Sequence, residues 1–194
     1  SKPDELATSC YGQVAFYDIT RQQLGQKLQW QGSLVSMVLS PGGDIVACGS
    51  QDNSVHFWRR STGLDAEMTG YSGKPSQLAF DQSGRFLATG GSEQIIVWNF
   101  QGEGPEGSLP GQLVLHPEPI STLAFANEGL ILASGSRDGS VFVWLLDQNG
   151  DGNPLGGAFT GERISAVSWH PDDTAVAAVD ANGGVAVWPF KIRG

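Results

Sequence analysis

The chain has 194 residues, 40% of them hydrophobic, enough for one domain with a sizeable core. Its net charge of −9 works against nonspecific nucleic-acid binding, because a phosphate backbone repels such a surface. No apolar run approaches the ~20 residues that a membrane-spanning helix needs, and two cysteines, Cys10 and Cys48, are too few for a disulfide framework.

The 27 glycines are roughly twice the usual share and point to many tight turns between short strands. In chain order the predicted strands are Leu6–Ser9, Val14–Tyr17 and a weaker one at Gln26–Trp30. Leu34–Ser40 follows, then the turn Pro41-Gly-Gly-Asp44 and the strands Ile45–Gly49, Val55–Trp58 and Asp65–Thr69. The pattern recurs as Pro75–Phe80, the turn Gln82-Ser-Gly-Arg85, Phe86–Gly90, Ile95–Trp98 and Gln112–His116. It recurs again as Ile120–Phe125, Asn127-Glu-Gly129, Ile131–Gly135, Val141–Trp144 and Gly157–Thr160. The last round is Ile164–Trp169, Pro171-Asp-Asp173, Ala175–Val179 and Val185–Trp188.

The aromatic residues that close the third strands, Tyr17, Trp58, Trp98, Trp144 and Trp188, lie 41, 40, 46 and 44 residues apart. A period of ~40–45 residues holding four strands is one propeller blade. One blade cannot bury both of its faces, so blades must lean on one another. That is why Ile-Leu-Ala and Val-Phe-Val-Trp occur as runs and not as alternations. The expected fold is all-β, a β-propeller of four-stranded antiparallel blades. The expected divisions are a partial blade at 1–30, blades at 31–69, 70–116 and 117–160, and a partial blade at 161–194.

The stretch Leu132-Ala-Ser-Gly-Ser-Arg-Asp-Gly-Ser-Val-Phe-Val-Trp144 resembles the WD-repeat family, and the likeness covers nearly the whole chain at varying fidelity. The resemblance implies a hydrogen-bonded tetrad at His116, Ser134, Asp138 and Trp144. Elsewhere the set is broken. Asp52 and Trp58 remain where Trp30 and Cys48 replace His and Ser; Thr89 and Trp98 remain with Tyr71 in the place of His; Trp188 remains with Thr160, Ala178 and Asn182. The family most often closes with seven blades, so the resemblance implies the C-terminal part of a larger ring. The missing blades would come from the rest of the polypeptide, from another chain or from a second copy.

Binding to protein or peptide partners is what the resemblance implies, with no catalytic role and no cofactor expected; the charge and the lack of a long apolar run add the expectation of no nucleic acid and no membrane. The alternatives are a regulatory or substrate-binding region of a larger enzyme and a structural subunit of a stable complex. In the family, loops surface on a narrower face used for partners. On it the reading places Tyr11, Gln51 and Arg137 in turns between second and third strands, and Arg163, Trp30 and Tyr71 ahead of first strands. Aromatic residues and Arg are the types enriched at binding hot spots. Trp30 and Tyr71 could equally plug the place of the missing histidine.

Asp147, Asn149 and Asp151 begin like a calcium loop, but the twelfth position is Ala158, where a bidentate Glu would be needed; an Asn-, Asp- and Gly-rich turn accounts for the same residues. His56 and His170 are expected to be solvent-facing, and Cys48 near His56 offers too few ligands for zinc. Trp58, Trp98, Trp144, Trp169 and Trp188 are expected in the core, and the glycine run Gly102–Gly107, with its acids, as a plain loop. The two cysteines, read as reduced and half-buried, place the chain in the cytoplasm.

Overall fold

The computed structural model describes residues 4–102 and 104–191, and its regular structure is all β. The strands pair antiparallel in five sheets, each in simple chain order. Sheet 1 holds β1 (Glu5–Cys10), β2 (Gln13–Asp18) and β3 (Gln23–Gln29). Sheet 2 holds β4 (Leu34–Leu39), β5 (Ile45–Ser50), β6 (Val55–Arg59) and β7 (Leu64–Met68). Sheet 3 holds β8 (Gln77–Phe80), β9 (Phe86–Gly90), β10 (Gln94–Asn99) and β11 (Gly111–Val114). Sheet 4 holds β12 (Ile120–Phe125), β13 (Ile131–Ser136), β14 (Ser140–Leu146) and β15 (Gly152–Phe159). Sheet 5 holds β16 (Ile164–Trp169), β17 (Ala175–Asp180) and β18 (Val185–Pro189).

Each junction between neighbouring sheets has its own apolar cluster. Val14, Phe16 and Leu28 meet Val46, Cys48 and Trp58; Phe57 and Met68 meet Leu87, Trp98 and Phe100. Phe86, Val97 and Leu113 meet Leu132, Trp144 and Leu146, and Ala133 and Val141 meet Ile164 and Val176. Successive residues of one strand therefore serve opposite junctions: Phe86 and Ala88 face sheet 4 while Leu87 faces sheet 2. This double-sided burial is the physical origin of the unbroken apolar runs.

The close approach of the sheets depends on one repeated position near the end of the second strand. A Cβ at Gly49 would collide with the Pro75 carbonyl, one at Gly90 with Ile120 and one at Gly135 with Ile164. Only glycine lets the next sheet come that near. Sheet 5 carries Val179 at that register, and its side chain is on an open face with Val185 and Val187, 69% and 63% exposed. On the open face of sheet 1, Leu6, Tyr17 and Leu24 form one row across three strands.

Polar ties reinforce the junctions. The Arg60 guanidinium donates to both Glu5 carboxylate oxygens (2.8 and 2.9 Å) and to Gln26 Oε1 (2.8 Å), and lies 3.7 Å over the Phe16 ring. Arg85 donates to the Gln148 carbonyl at 2.6 Å, and Asn127 N–H to Asp173 at 2.9 Å. These ties link sheet 2 to sheet 1, sheet 3 to sheet 4, and sheet 4 to sheet 5.

The largest difference from the expected strands is β15, which starts at Gly152 and not at Gly157. Asp147 Oδ1 accepts from the backbone N–H of Asn149 (2.7 Å) and of Asp151 (3.1 Å), closing a tight turn. The chain reverses at once, and the ladder runs from Leu146↔Gly152 to Ser140↔Phe159 with a bulge beside Val143. A groove of about 570 Å³ lies between β14–β15 and β17–β18, lined among others by Val143, Leu145, Leu155, Trp188 and Phe190. Trp188, which lines the groove, and Trp169 are half-exposed, against the expectation of core positions, whereas Trp58, Trp98 and Trp144 are buried between two sheets.

Candidate functional site: the loop face and the residues beneath it

At one end of the sheets, loops lead from each fourth strand into the next sheet, and turns join second to third strands. Side chains beneath these loops decide how rigidly they are held. In sheet 4, His116 is buried between β13 and β14 and bonded at both ring nitrogens. Nε2 lies 2.7 Å from Ser134 Oγ, Nδ1 lies 2.7 Å from Ser140 Oγ, and Trp144 Nε1–H donates to Ser134 Oγ at 2.9 Å. Ser140 Oγ in turn donates to Asp138 Oδ1 at 2.6 Å.

The tautomer follows from the groups at the two ends. The indole can only donate and the carboxylate can only accept. Ser140 spends its proton on Asp138, so Nδ1 must be the protonated nitrogen, and Ser134 donates to Nε2. One directional chain runs from Trp144 through Ser134, His116 and Ser140 to Asp138. Asp138 reaches the histidine only through Ser140, a residue absent from the expected tetrad. Burial pushes the His116 pKa down to about 4, against the opposing pull of the Asp138 charge. Burial works to raise the Asp138 pKa, but the hydrogen bonds from Ser140 and Ser136, together with the pull of His116, hold the carboxyl below its usual range.

In sheet 3 a tyrosine takes the histidine's place. Trp98 Nε1–H donates to Tyr71 Oη at 2.7 Å, and Tyr71 Oη and Thr89 Oγ1 are bonded at 3.0 Å. Burial raises the phenol pKa to about 12. The Tyr71 hydroxyl is thus turned into the blade, as a plug requires, and is not offered to a partner.

In sheet 2 Trp30 stacks on His56, ring centroids 3.6 Å apart, and His56 meets the edge of Trp58 at 4.3 Å. His56 is 1% exposed, against the expectation of a solvent-facing residue. It shares the side of β6 that carries Trp58, and that side is covered by sheet 1. Its Nε2 lies 3.1 Å from Asp65 Oδ2, but neither ring nitrogen makes a hydrogen bond, and the Trp30 indole N–H is also unpartnered. Burial lowers the His56 pKa, with Asp65, Glu67 and Asp52 pulling the other way. In sheet 5, Thr160 Oγ1 donates to the Glu162 carbonyl at 3.0 Å, and Asp180 Oδ1 accepts from Asn182 and Gly184 N–H at 2.9 and 2.8 Å.

Above these supports the remaining predicted surface residues stand free. Tyr11 is 78% exposed, and Gln51, Arg137 and Arg163 are exposed on the same face. The half-buried Trp30 and Tyr71 lie beneath them. Sequence reasoning passed over Lys74, exposed at the register of Arg163 ahead of a first strand.

The other candidates lie apart from this face. Asp147 is committed to its own turn and Ala158 pairs with Val141 in the ladder; among the described residues no group of three or more His, Cys, Asp or Glu could hold a metal. His170 is exposed and paired with Asp172. Cys10 is exposed and Cys48 fully buried, so neither is half-buried as expected; burial raises the Cys48 thiol pKa to about 12.

Stacked four-stranded sheets with buried indole-to-hydroxyl bonds under the loops define a β-propeller of the WD type. The family model "WD domain, G-beta repeat" matches residues 23–59, 64–99, 107–144 and 154–189, and the chain belongs to the WD-repeat family. Each matched repeat runs from the fourth strand of one sheet through the third strand of the next, so the repeat itself links neighbours covalently. Similar proteins include the periodic tryptophan protein 2 homolog of Schizosaccharomyces pombe, 30% identical over 116 residues covering 58% of this chain and 13% of that protein. Actin-interacting protein 1 of Caenorhabditis elegans is 26% identical over 181 residues, 90% of this chain and 29% of that protein. The chain thus spans less than a third of either relative. A chain in the crystal structure of a mitotic checkpoint complex shares the fold, with a TM-score of 0.80 at 17% identity over 98% of this chain and 60% of that one.

Proposed function

We propose that this propeller region is a non-catalytic platform that presents its loop face to protein or peptide partners in the cytoplasm. The observation that carries the reading is the contrast in depth on that face. Buried networks and the Trp30–His56 stack hold the loops, while Tyr11, Gln51, Arg137 and Arg163 project from them. Side chains that need no reordering to be presented lose little entropy on binding. WD-repeat proteins typically serve as interaction scaffolds, and the names of two similar proteins speak of actin interaction and of a checkpoint complex. Two free cysteines suit a reducing compartment. Further blades, from the same polypeptide or another chain, would cover the apolar open faces of sheets 1 and 5.

The test compares affinity capture from native extract, read by mass spectrometry, for the unaltered chain and for Tyr11→Ala with Gln51→Ala. A control carries Arg21→Ala and Leu109→Ala, exposed residues at the opposite end of the sheets. Captured chains should fall for the first variant and persist for the control, with thermal midpoints unchanged in both. Unaltered capture by the first variant sinks this face.

A further inference from the structure

Each of sheets 2 to 5 brings one pair of residues to the inner edge of the loop face: the residue leading into its first strand and the residue just after its second. The pairs are held by backbone contacts. Gln51 N–H donates to the Ser33 carbonyl at 2.9 Å, Arg137 N–H to that of Pro119 at 3.1 Å, and Ala181 N–H to that of Arg163 at 2.8 Å. In sheet 3 the pair is Lys74 and Gly91, packed so closely that a side chain at Gly91 would strike the Lys74 carbonyl. Sheets 3, 4 and 5 therefore supply one cation each, Lys74, Arg137 and Arg163, and none of the eight positions holds an acid.

This is a local reversal of sign in a chain of net charge −9. All three cations are exposed, and among the described residues none makes an ion pair or a side-chain hydrogen bond. Neighbouring residues tie the sheets that carry them: Ile120 N–H donates to the Ser92 carbonyl at 2.8 Å, and Ser121 Oγ to the Ile164 carbonyl at 2.6 Å. Acids lie within two residues along the same loops and turns: Glu162 precedes Arg163, Glu118 precedes Pro119, Glu93 comes two after Gly91, Asp52 and Asp138 follow Gln51 and Arg137, and Asp180 precedes Ala181. The face thus has a positive inner arc framed by negative charge.

We propose that this arc seats an anionic group carried by an extended peptide, either a short run of Asp or Glu or a phosphorylated side chain, flanked by basic residues that meet Glu93, Glu118 and Glu162. Guanidinium groups pair carboxylate and phosphate oxygens two at a time, which favours a compact anion over the arc. The surrounding acids repel a continuous polyanion such as a nucleic acid. The proposal rests on the loop face being the partner face.

Fluorescence anisotropy on the whole chain tests it with four dye-labelled probes: a Lys-flanked peptide with three central Glu, the same peptide with one phosphoserine, the same with three Gln, and an oligothymidylate. Both anionic peptides should bind at least ~10-fold more tightly than the Gln peptide and weaken as salt rises. The tighter of the two identifies the source of the anion. K74Q/R137Q/R163Q should bring the anionic peptides to the level of the Gln peptide with an unchanged melting temperature, and E93Q/E118Q/E162Q should admit the oligothymidylate. The proposal is overturned by equal binding of charged and neutral peptides, by an indifferent triple Arg/Lys variant, by preference for the oligonucleotide, or by no peptide binding up to about 1 mM. If Tyr11→Ala with Gln51→Ala abolishes partner capture while K74Q/R137Q/R163Q leaves peptide binding untouched, the face stands and the anionic chemistry falls. If neither variant changes anything, both readings fall.

Discussion

Sheets 4 and 2 use an imidazole and an aromatic ring in exchanged places. In sheet 4 the imidazole is on the loop, His116, and meets Phe142 on the third strand at 4.8 Å; in sheet 2 the indole is on the loop, Trp30, and meets His56 on the third strand at 3.6 Å. Shape is filled in both, but hydrogen bonding is not. His116 lies between two serine hydroxyls, whereas the cross-strand neighbour of His56 is Cys48, whose buried thiol is a weak donor. The position can be satisfied by packing alone, but of these two arrangements only that of sheet 4 also satisfies its polar atoms. Sheet 3 lies between, with the Tyr71 hydroxyl doing part of the histidine's work.

Removing the best-satisfied ring should cost most. His116→Ala leaves a cavity and orphans hydroxyl bonds of Ser134 and Ser140, and should lower stability by about 3 kcal/mol in urea unfolding. The same histidine sets a pH dependence. Its folded pKa of about 4 lies below the unfolded value of 6.5, so the unfolded chain takes up the proton first. Stability should be full above about pH 6.5 and decline as pH falls toward 4. His116→Gln should flatten that decline, and the part remaining should belong to His56, whose pKa is lowered in the same direction.

Next in size is Tyr71→Phe, which keeps the ring but leaves the Trp98 indole N–H without its acceptor. A loss of about 1–2 kcal/mol of stability, measured by urea unfolding, is expected. A neutral result would mean that the hydroxyl is held by packing alone and that sheet 3 resembles sheet 2 more than sheet 4.

The repeat and its double-sided strands were legible because period and burial are written in residue type: five closing aromatics at near-constant spacing leave few other architectures. The expected tetrad members of the His116 network were legible only through the resemblance to the WD-repeat family, which supplies their roles. Ser140 was not, because a serine in a turn has many uses, and only the 2.6 Å approach of its Oγ to Asp138 makes it the bridge. The direction of Tyr71 was open, since one spacing allows the ring to point in or out. The start of β15 was hidden by Gly, Asn and Pro, residues that argue against a strand until the Asp147 turn forces immediate pairing. His56 was misplaced although its parity with Trp58 already assigned it to a buried side.

The smallest expected effect is the sharpest comparison. His56→Phe copies the ring that Phe142 supplies in sheet 4 and removes two buried nitrogens that make no hydrogen bond. Its cost is the contact with Asp65, a half-exposed carboxylate whose pairing with a neutral imidazole is weak. Replacing a buried unsatisfied polar group by an apolar one of similar shape is neutral or favourable. The variant should therefore unfold at an equal or slightly higher urea concentration, by up to about 1 kcal/mol. Its pH dependence below 6.5 should shrink in step, since the second titrating imidazole is gone. A clear destabilisation would show instead that Asp65 holds His56 through a charge, and that sheet 2 is a polar solution of a different kind from its neighbours.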